Sequence, residues 1–120
     1  MIICITSTGN TKESKMDPRF GRCPYFVIED TQSGKTSVLE NPAAVSGGGA
    51  GIAAGQAMVE NNVEAVITGN TGPNAMNVLK AAGIEIFRGE NASVKDNISK
   101  FLAGTLEKIT TTVPSHSGLK

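Results

Sequence analysis

Three kinds of residue in this chain could do chemistry: a cysteine flanked by cations, a pair of arginines, and glycine runs placed ahead of helix-like segments. Arg19, Arg22 and Cys23 stand together in Asp17-Pro18-Arg19-Phe20-Gly21-Arg22-Cys23-Pro24. The thiolate is the form of cysteine that binds metal, and neighbouring cations favour it, so Cys23 is the candidate metal ligand. Its competing reading is a small packing residue at the start of a strand. Arg19 and Arg22 offer fixed positive charge to a cluster or a phosphate; pairing with Asp17 or with surface glutamates is the alternative. Gly47, Gly48 and Gly49, with Gly69, Asn70, Thr71 and Gly72, complete the candidate cofactor-binding set. Glycine lets a backbone approach a ligand closely, and unpaired N–H groups at a following helix start suit an anion. Tight turns and close helix–sheet packing would account for the same glycines without any ligand.

Other reactive types carry less. Cys4 lies inside the Ile-rich run Ile2-Ile3-Cys4-Ile5 and reads as core, and the two cysteines lack the spacing of a zinc or redox motif. Phe20 and Phe26 read as core anchors, because a chain with only four Phe and one Tyr needs their volume. Met58 and Met76 fit helix-face packing, while Met16 stands in a polar loop, where a thioether could contact a soft metal. His116, the only histidine, lies in a terminal stretch without periodicity. Asn70, Thr71 and Asn74 have helix capping as their ordinary role.

Composition narrows the classes of function. A chain of 120 residues suits one domain. Eleven Lys and Arg balance eleven Asp and Glu, so there is no overall basic surface for nucleic acid. No stretch approaches the roughly 20 apolar residues of a membrane span. A start at Met1-Ile2-Ile3-Cys4-Ile5 without a basic flank or cleavage site leads to an expectation of a cytoplasmic protein. Gly47-Gly48-Gly49-Ala50-Gly51 is followed by no Lys-Ser/Thr pair, so it is not a nucleotide-binding P-loop.

The elements that must position these residues follow from pattern. Ile2 to Thr6, Tyr25 to Asp30, Thr36 to Glu40, Ala65 to Thr68 and Ile84 to Phe87 read as strands, the second and third joined by a polar turn through Gly34. Ile52, Ala53, Gln56, Ala57, Val59 and Glu60 give one stripe at helical spacing. Ala75, Met76, Val78, Leu79 and Ala82 give a second, with Pro73 as its first residue and Gly83 as its stop. Val94, Ile98, Phe101 and Leu102 give a third, ended by Gly104. A β-β-β-α-β-α-β-α order with right-handed crossovers predicts a three-layer α/β/α domain over residues 1–109 and a flexible tail over 110–120. Its sheet is mixed and five-stranded, in order 3-2-1-4-5, with strand 2 antiparallel. Segment 8–22 and the loops 41–49, 69–72 and 88–91 then leave the sheet along one edge, where open α/β sheets bind ligands.

The segment Asp17 to Phe26 resembles the His-Phe-Gly-Arg motif region that opens the second strand in dinitrogenase iron-molybdenum cofactor biosynthesis proteins of the NifX and NifB C-terminal type. Gly47 to Gly51, Glu64 to Gly69, Gly72-Pro73-Asn74-Ala75 and Ala82 to Phe87 are similar in the same order, so the resemblance runs over residues 1 to about 104. It implies a ribonuclease H-like motif fold and binding or transfer of iron-sulfur or iron-molybdenum cofactor precursors. Arg19 stands where the family often has histidine; an arginine cannot ligate metal and supplies charge instead.

These readings lead to a non-catalytic carrier of an anionic cluster precursor that passes its cargo to an acceptor protein, with a regulatory small-anion module as the alternative. A metal-dependent phosphate or nucleic-acid enzyme needs carboxylates on the central strands. Ile2 to Thr6 and Ala65 to Thr68 contain none.

Overall fold

Runs rich in isoleucine, valine and phenylalanine form the strands, as branched and aromatic side chains favour. The computed structural model describes residues 1–41 and 49–110. The elements in chain order are β1 (Ile2–Ser7), β2 (Tyr25–Asp30), β3 (Thr36–Glu40), α1 (Ala50–Glu60), β4 (Ala65–Thr68), α2 (Gly72–Ala81), β5 (Glu85–Arg88), α3 (Val94–Leu102) and β6 (Glu107–Lys108). Gly47, Gly48 and the expected tail from residue 111 onward lie outside the described residues.

The sheet has the order β3-β2-β1-β4-β5-β6. β2 runs antiparallel to β1, from Ile2↔Asp30 to Ser7↔Tyr25, and antiparallel to β3. β4 runs parallel to β1 and to β5, through Ile5↔Ile67 and Thr68↔Arg88. The expected 3-2-1-4-5 order and the antiparallel second strand are both present. The five-stranded expectation is corrected to six: β6 adds antiparallel to β5 through Phe87↔Lys108 and Arg88↔Glu107. Two exposed charged residues give no apolar signal to read. Ion pairs hold them instead, Arg88 to Glu107 at 2.9 Å and Lys108 to Glu85 at 2.6 Å, with the Ile109 N–H donating to the Ile86 carbonyl at 2.7 Å.

Alternation along the strands separates two cores and so three layers. On one face Cys4, Phe26, Ile28, Val66 and Ile86 meet Ala54 and Met58 of α1 and Ala75, Met76 and Leu79 of α2. On the other, Ile3, Ile5, Val27, Ala65 and Ile67 meet Val94 and Ile98 of α3, with Phe87 and Phe101 in edge-to-face contact at 5.1 Å.

The stripe expected to pack α1 faces the wrong way. Ile52 and Val59 are 38% and 46% exposed, and the buried positions are Ala50, Ala54, Gly55 and Met58. Small residues set this helix's contact. A Cβ on Gly51 would stand 3.2 Å from the Ala75 Cβ, and one on Gly55 would stand 2.8 Å from a Val78 methyl, so α1 lies against α2 closely along this edge. Counting large apolar residues selected the outer face instead. Leu102, expected on the buried stripe of α3, is likewise exposed, at the last position of that helix.

Candidate functional site

The segment between β1 and β2 is long, polar and rich in turn residues, yet it is stitched to three other elements. The Asp17 N–H donates to the Thr6 carbonyl at 2.9 Å and the Met16 N–H to the Ala92 carbonyl at 2.9 Å. The Val94 and Lys95 N–H groups, in the first turn of α3, donate back to Ser14 and Lys12 carbonyls at 2.8 and 2.9 Å. Together with the Ser93 hydroxyl, which accepts from the Asp96 N–H, these bonds satisfy the start of α3. The starts of α1 and α2 differ. Neither N-cap residue makes a side-chain cap bond, and neither first turn holds an acidic residue.

Of the expected residues, Arg19, Gly69 and Asn70 are brought into direct register. The Asn70 N–H donates to the Pro18 carbonyl at 2.8 Å, and the Phe20 N–H returns to the Asn70 carbonyl at 3.0 Å. Gly69 lies directly under Pro18. Gly49 is the N-cap residue of α1 and Thr71 that of α2, which begins at Gly72 with Pro73 second. A Cβ on Gly21 would meet Gly51 backbone atoms at 3.1 and 3.2 Å, so the arginine-bearing turn abuts the start of α1. Capping was the expected role of Asn70 and Thr71. The Asn70 side chain does accept from the Gly72 N–H, at 3.2 Å, while the Thr71 hydroxyl donates to the Gly72 carbonyl and caps nothing.

Arg19 is committed to a partner. Its Nε and backbone N–H donate to Asp17 Oδ1 at 3.0 and 2.9 Å, and its Nη2 to Oδ2 at 2.8 Å. Asp17 is 2% exposed while the Arg19 side chain is 64% exposed. Burial alone would push the Asp17 carboxyl up, but the hydrogen bonds and charge of Arg19 outweigh it and hold the group below its ordinary value. Arg22 is exposed, and its N–H donates to the Phe20 carbonyl at 2.8 Å.

Cys23 is where sequence reasoning and structure part. It is fully buried beside Phe20 and Phe26. Burial first, then the negative charge of Asp17, push its thiol up to about 12, and the attraction of Arg19 for the thiolate is the weakest influence acting on it. The expected lowering by two neighbouring cations is therefore overturned, because the group has lost its water. Cys4 is raised too, by burial first and by Cys23 second. In the native protein at about pH 8, iodoacetamide is expected to leave Cys23 unmodified, and to label it once denaturant is added. Mass spectrometry of the digested protein reads the result, and prompt native-state labelling would contradict the buried thiol.

A pocket of about 220 Å³ opens on the α3 side of the same edge, lined by Met16, Pro18, Gly69, Arg88, Gly89 and Asn91. Gly69 belongs to both this pocket and the expected set. Met16, expected in a polar loop with its thioether open to a soft metal, is buried, and it packs so closely on Gly89 that a Cβ there would meet the Met16 Sδ. Asn97 was missed. It is wholly buried on α3, accepts from the Glu90 N–H at 2.7 Å and donates to the Glu90 and Ser93 carbonyls at 3.0 Å each. Its position three after Val94 and four before Phe101, on the apolar stripe, was the available signal. Among the described residues no group of three or more His, Cys, Asp and Glu is arranged to hold a metal ion, and no helix is long and apolar enough to cross a membrane.

Relatives share this architecture. The apo form of the orange protein from Desulfovibrio gigas superposes with a TM-score of 0.90 at 30% identity, over 94% of this chain and 96% of the other. A Thermotoga protein provisionally assigned as NifB superposes with a TM-score of 0.85 at 37% identity, over 96% and 98% of the two chains. An uncharacterized protein of Methanocaldococcus jannaschii is 33% identical over 98 residues, 79% of this chain and 83% of its own. The family model for dinitrogenase iron-molybdenum cofactor proteins matches residues 1–104, which takes in every strand and helix from β1 to α3, and the chain belongs to that family.

Proposed function

We propose that this protein is a non-catalytic carrier that holds an anionic iron-sulfur or iron-molybdenum cofactor precursor at the loop edge of its sheet and releases it to an acceptor protein. The observation that carries the reading is the convergence of segment 8–22, the starts of α1 and α2 and the Arg88–Asn91 turn around one open edge. Two helix starts there, with no acidic residue in the first turn and no side-chain bond from their own N-cap residues, favour negative charge. Arg19, Arg22 and Arg88 stand at or beside that edge. Family membership supports the class of cargo, and the Desulfovibrio gigas relative is itself described as an apo form.

With Cys23 buried and protonated, the cargo is held by charge and backbone N–H groups and not by a thiolate. Loose holding suits a carrier, because a cluster bonded to several protein ligands would leave slowly. Anaerobic reconstitution with iron and sulfide, with and without molybdate, is expected to give cluster absorbance and metal retained through gel filtration. Bare protein eluting from both mixtures would remove the reading's main support.

The scarcity of clustered metal-binding side chains among the described residues also favours a second reading, a regulatory module for a small anion. Chemical-shift changes at residues 19–23 and 69–74 on adding a small anion, with none on adding a cluster, would select it.

A further inference from the structure

We propose that β3 is an interaction edge that pairs with β3 of a second copy of this chain, antiparallel and centred on Val38, so that two six-stranded sheets join into one. The pairing stands apart from the carrier reading, because the residues that pair, Thr36 to Glu40, lie outside the loop edge.

The two ends of the sheet are built differently. β6 closes one end with two residues, both of them charged and ion-paired, Glu107 to Arg88 and Lys108 to Glu85. Short strands and fixed charges are the ordinary guards of a sheet edge. β3 closes the other end with five residues, of which only Glu40 is charged, and it keeps an unbroken register with β2 from Glu29↔Thr36 to Tyr25↔Glu40, with no bulge to turn it aside. Nothing among the described residues pairs with its far side.

Strand parity says which groups that far side offers. The Asp30 N–H donates to the Lys35 carbonyl and the Asn41 N–H to the Pro24 carbonyl, each at 2.9 Å. Hydrogen-bonded pairs alternate along an antiparallel ladder, so Ser37 and Leu39 also turn their backbone groups to β2. Thr36, Val38 and Glu40 therefore turn theirs outward, in a row that is symmetric about Val38. Antiparallel pairing of two copies sets Val38 against Val38 and each Thr36 against Glu40 of the other copy, and every such pair exchanges two N–H···O bonds. No like charges meet in this register, and the Val38 side chain, 42% exposed, gains an apolar neighbour at the two-fold centre. A slip of one residue would set the outward row against Ser37 and Leu39, whose groups are already bonded to β2. The strand is also held ready: the Thr36 hydroxyl donates to Glu29 Oε1 at 2.5 Å, and the Asn41 side chain, just past the strand end, donates to the Gly21 and Cys23 carbonyls at 3.1 and 2.9 Å. Little ordering is left to oppose association.

The two-fold register selects a copy of this chain over an unrelated strand. Such a pairing uses up both open edges and leaves only the guarded β6 edges outside, so assembly stops at the dimer. β3 runs parallel to β1, through the antiparallel β2, so the two loop edges point in opposite directions and each stays open.

Sedimentation velocity of the full chain, over a concentration range from about 10 to 500 μM, should show conversion of monomer to dimer. Val38→Lys sets two cations face to face at the centre and is expected to weaken the dimer about tenfold or more. Val38→Glu should do the same, and an equimolar mixture of the two variants should recover a dimer, which chains damaged in folding would not. In the wild-type protein, amide exchange followed by NMR should slow at Thr36, Val38 and Glu40 as concentration rises. A chain that stays monomeric at every concentration overturns the proposal. A dimer that Val38→Lys leaves intact overturns it too, because that dimer would be built on another surface.

Discussion

Asn97→Ala is expected to destabilise the protein by about 3 kcal/mol, because it removes three hydrogen bonds to backbone groups at once and leaves the Glu90 N–H without its acceptor, while the Glu90 and Ser93 carbonyls keep only the Ala92 and Asn97 N–H donors. The Glu90 N–H loses its acceptor at 2.7 Å, and the Glu90 and Ser93 carbonyls lose donors at 3.0 Å. Asn97 is wholly buried, so water cannot replace those bonds without opening the α3 packing, where Val94 and Ile98 close the second core. The 88–91 turn, which lines the 220 Å³ pocket, hangs from this clamp. Urea denaturation of the two proteins measures the loss. A change under about 1 kcal/mol would mean that the clamp contributes no more than an ordinary exposed hydrogen bond.

The same residue illustrates what could be read from the sequence. Strands were legible because Ile2 to Ser7 and Tyr25 to Asp30 are dense in branched and aromatic residues, and the topology followed because right-handed crossovers leave few choices. α1 was legible as a helix but not in its orientation: Gly51, Ala54 and Gly55 define the packed side by their smallness, with Met58 beside them, and a count of large apolar residues cannot see that. β6 is specified by ion pairs and a neighbour's open edge, neither of which has a local pattern.

At the site, position in the fold was readable and electrostatic state was not. Segment 8–22, the 69–72 loop and the start of α1 do come together, and Arg19, Gly69 and Asn70 do meet. Whether Arg19 is a spent or an available cation depends on the burial of Asp17, and whether Cys23 is a thiolate depends on its loss of water. Both are long-range properties, set by Thr6 and Thr68 in one case and by the Phe20–Phe26 cluster in the other.

The two glycines that flank Asn70-Thr71 separate space from conformation. Gly69→Ala would place a Cβ 2.6 Å from the Pro18 Cβ, 2.8 Å from its carbonyl oxygen and 2.9 Å from its Cα. None of these atoms belongs to a flexible side chain, so the backbone must part, and the paired bonds between Pro18, Asn70 and Phe20 go with it. Overpacking against backbone is expected to cost about 3 kcal/mol, and to free the Asp17–Phe20 turn that carries Arg19. Gly72→Ala meets nothing within 4 Å, but Gly72 has φ +74. Its expected penalty is the left-handed strain alone, about 1 kcal/mol. Thermal melts rank the two, and proteolysis separates their consequences: cleavage after Arg19 or Arg22 by trypsin should accelerate in Gly69→Ala and not in Gly72→Ala. Equal melting temperatures and equal digestion would mean that the 17–20 turn is not held by its contact with Gly69, and the shared edge on which both the pocket and the arginine depend would have to be anchored elsewhere.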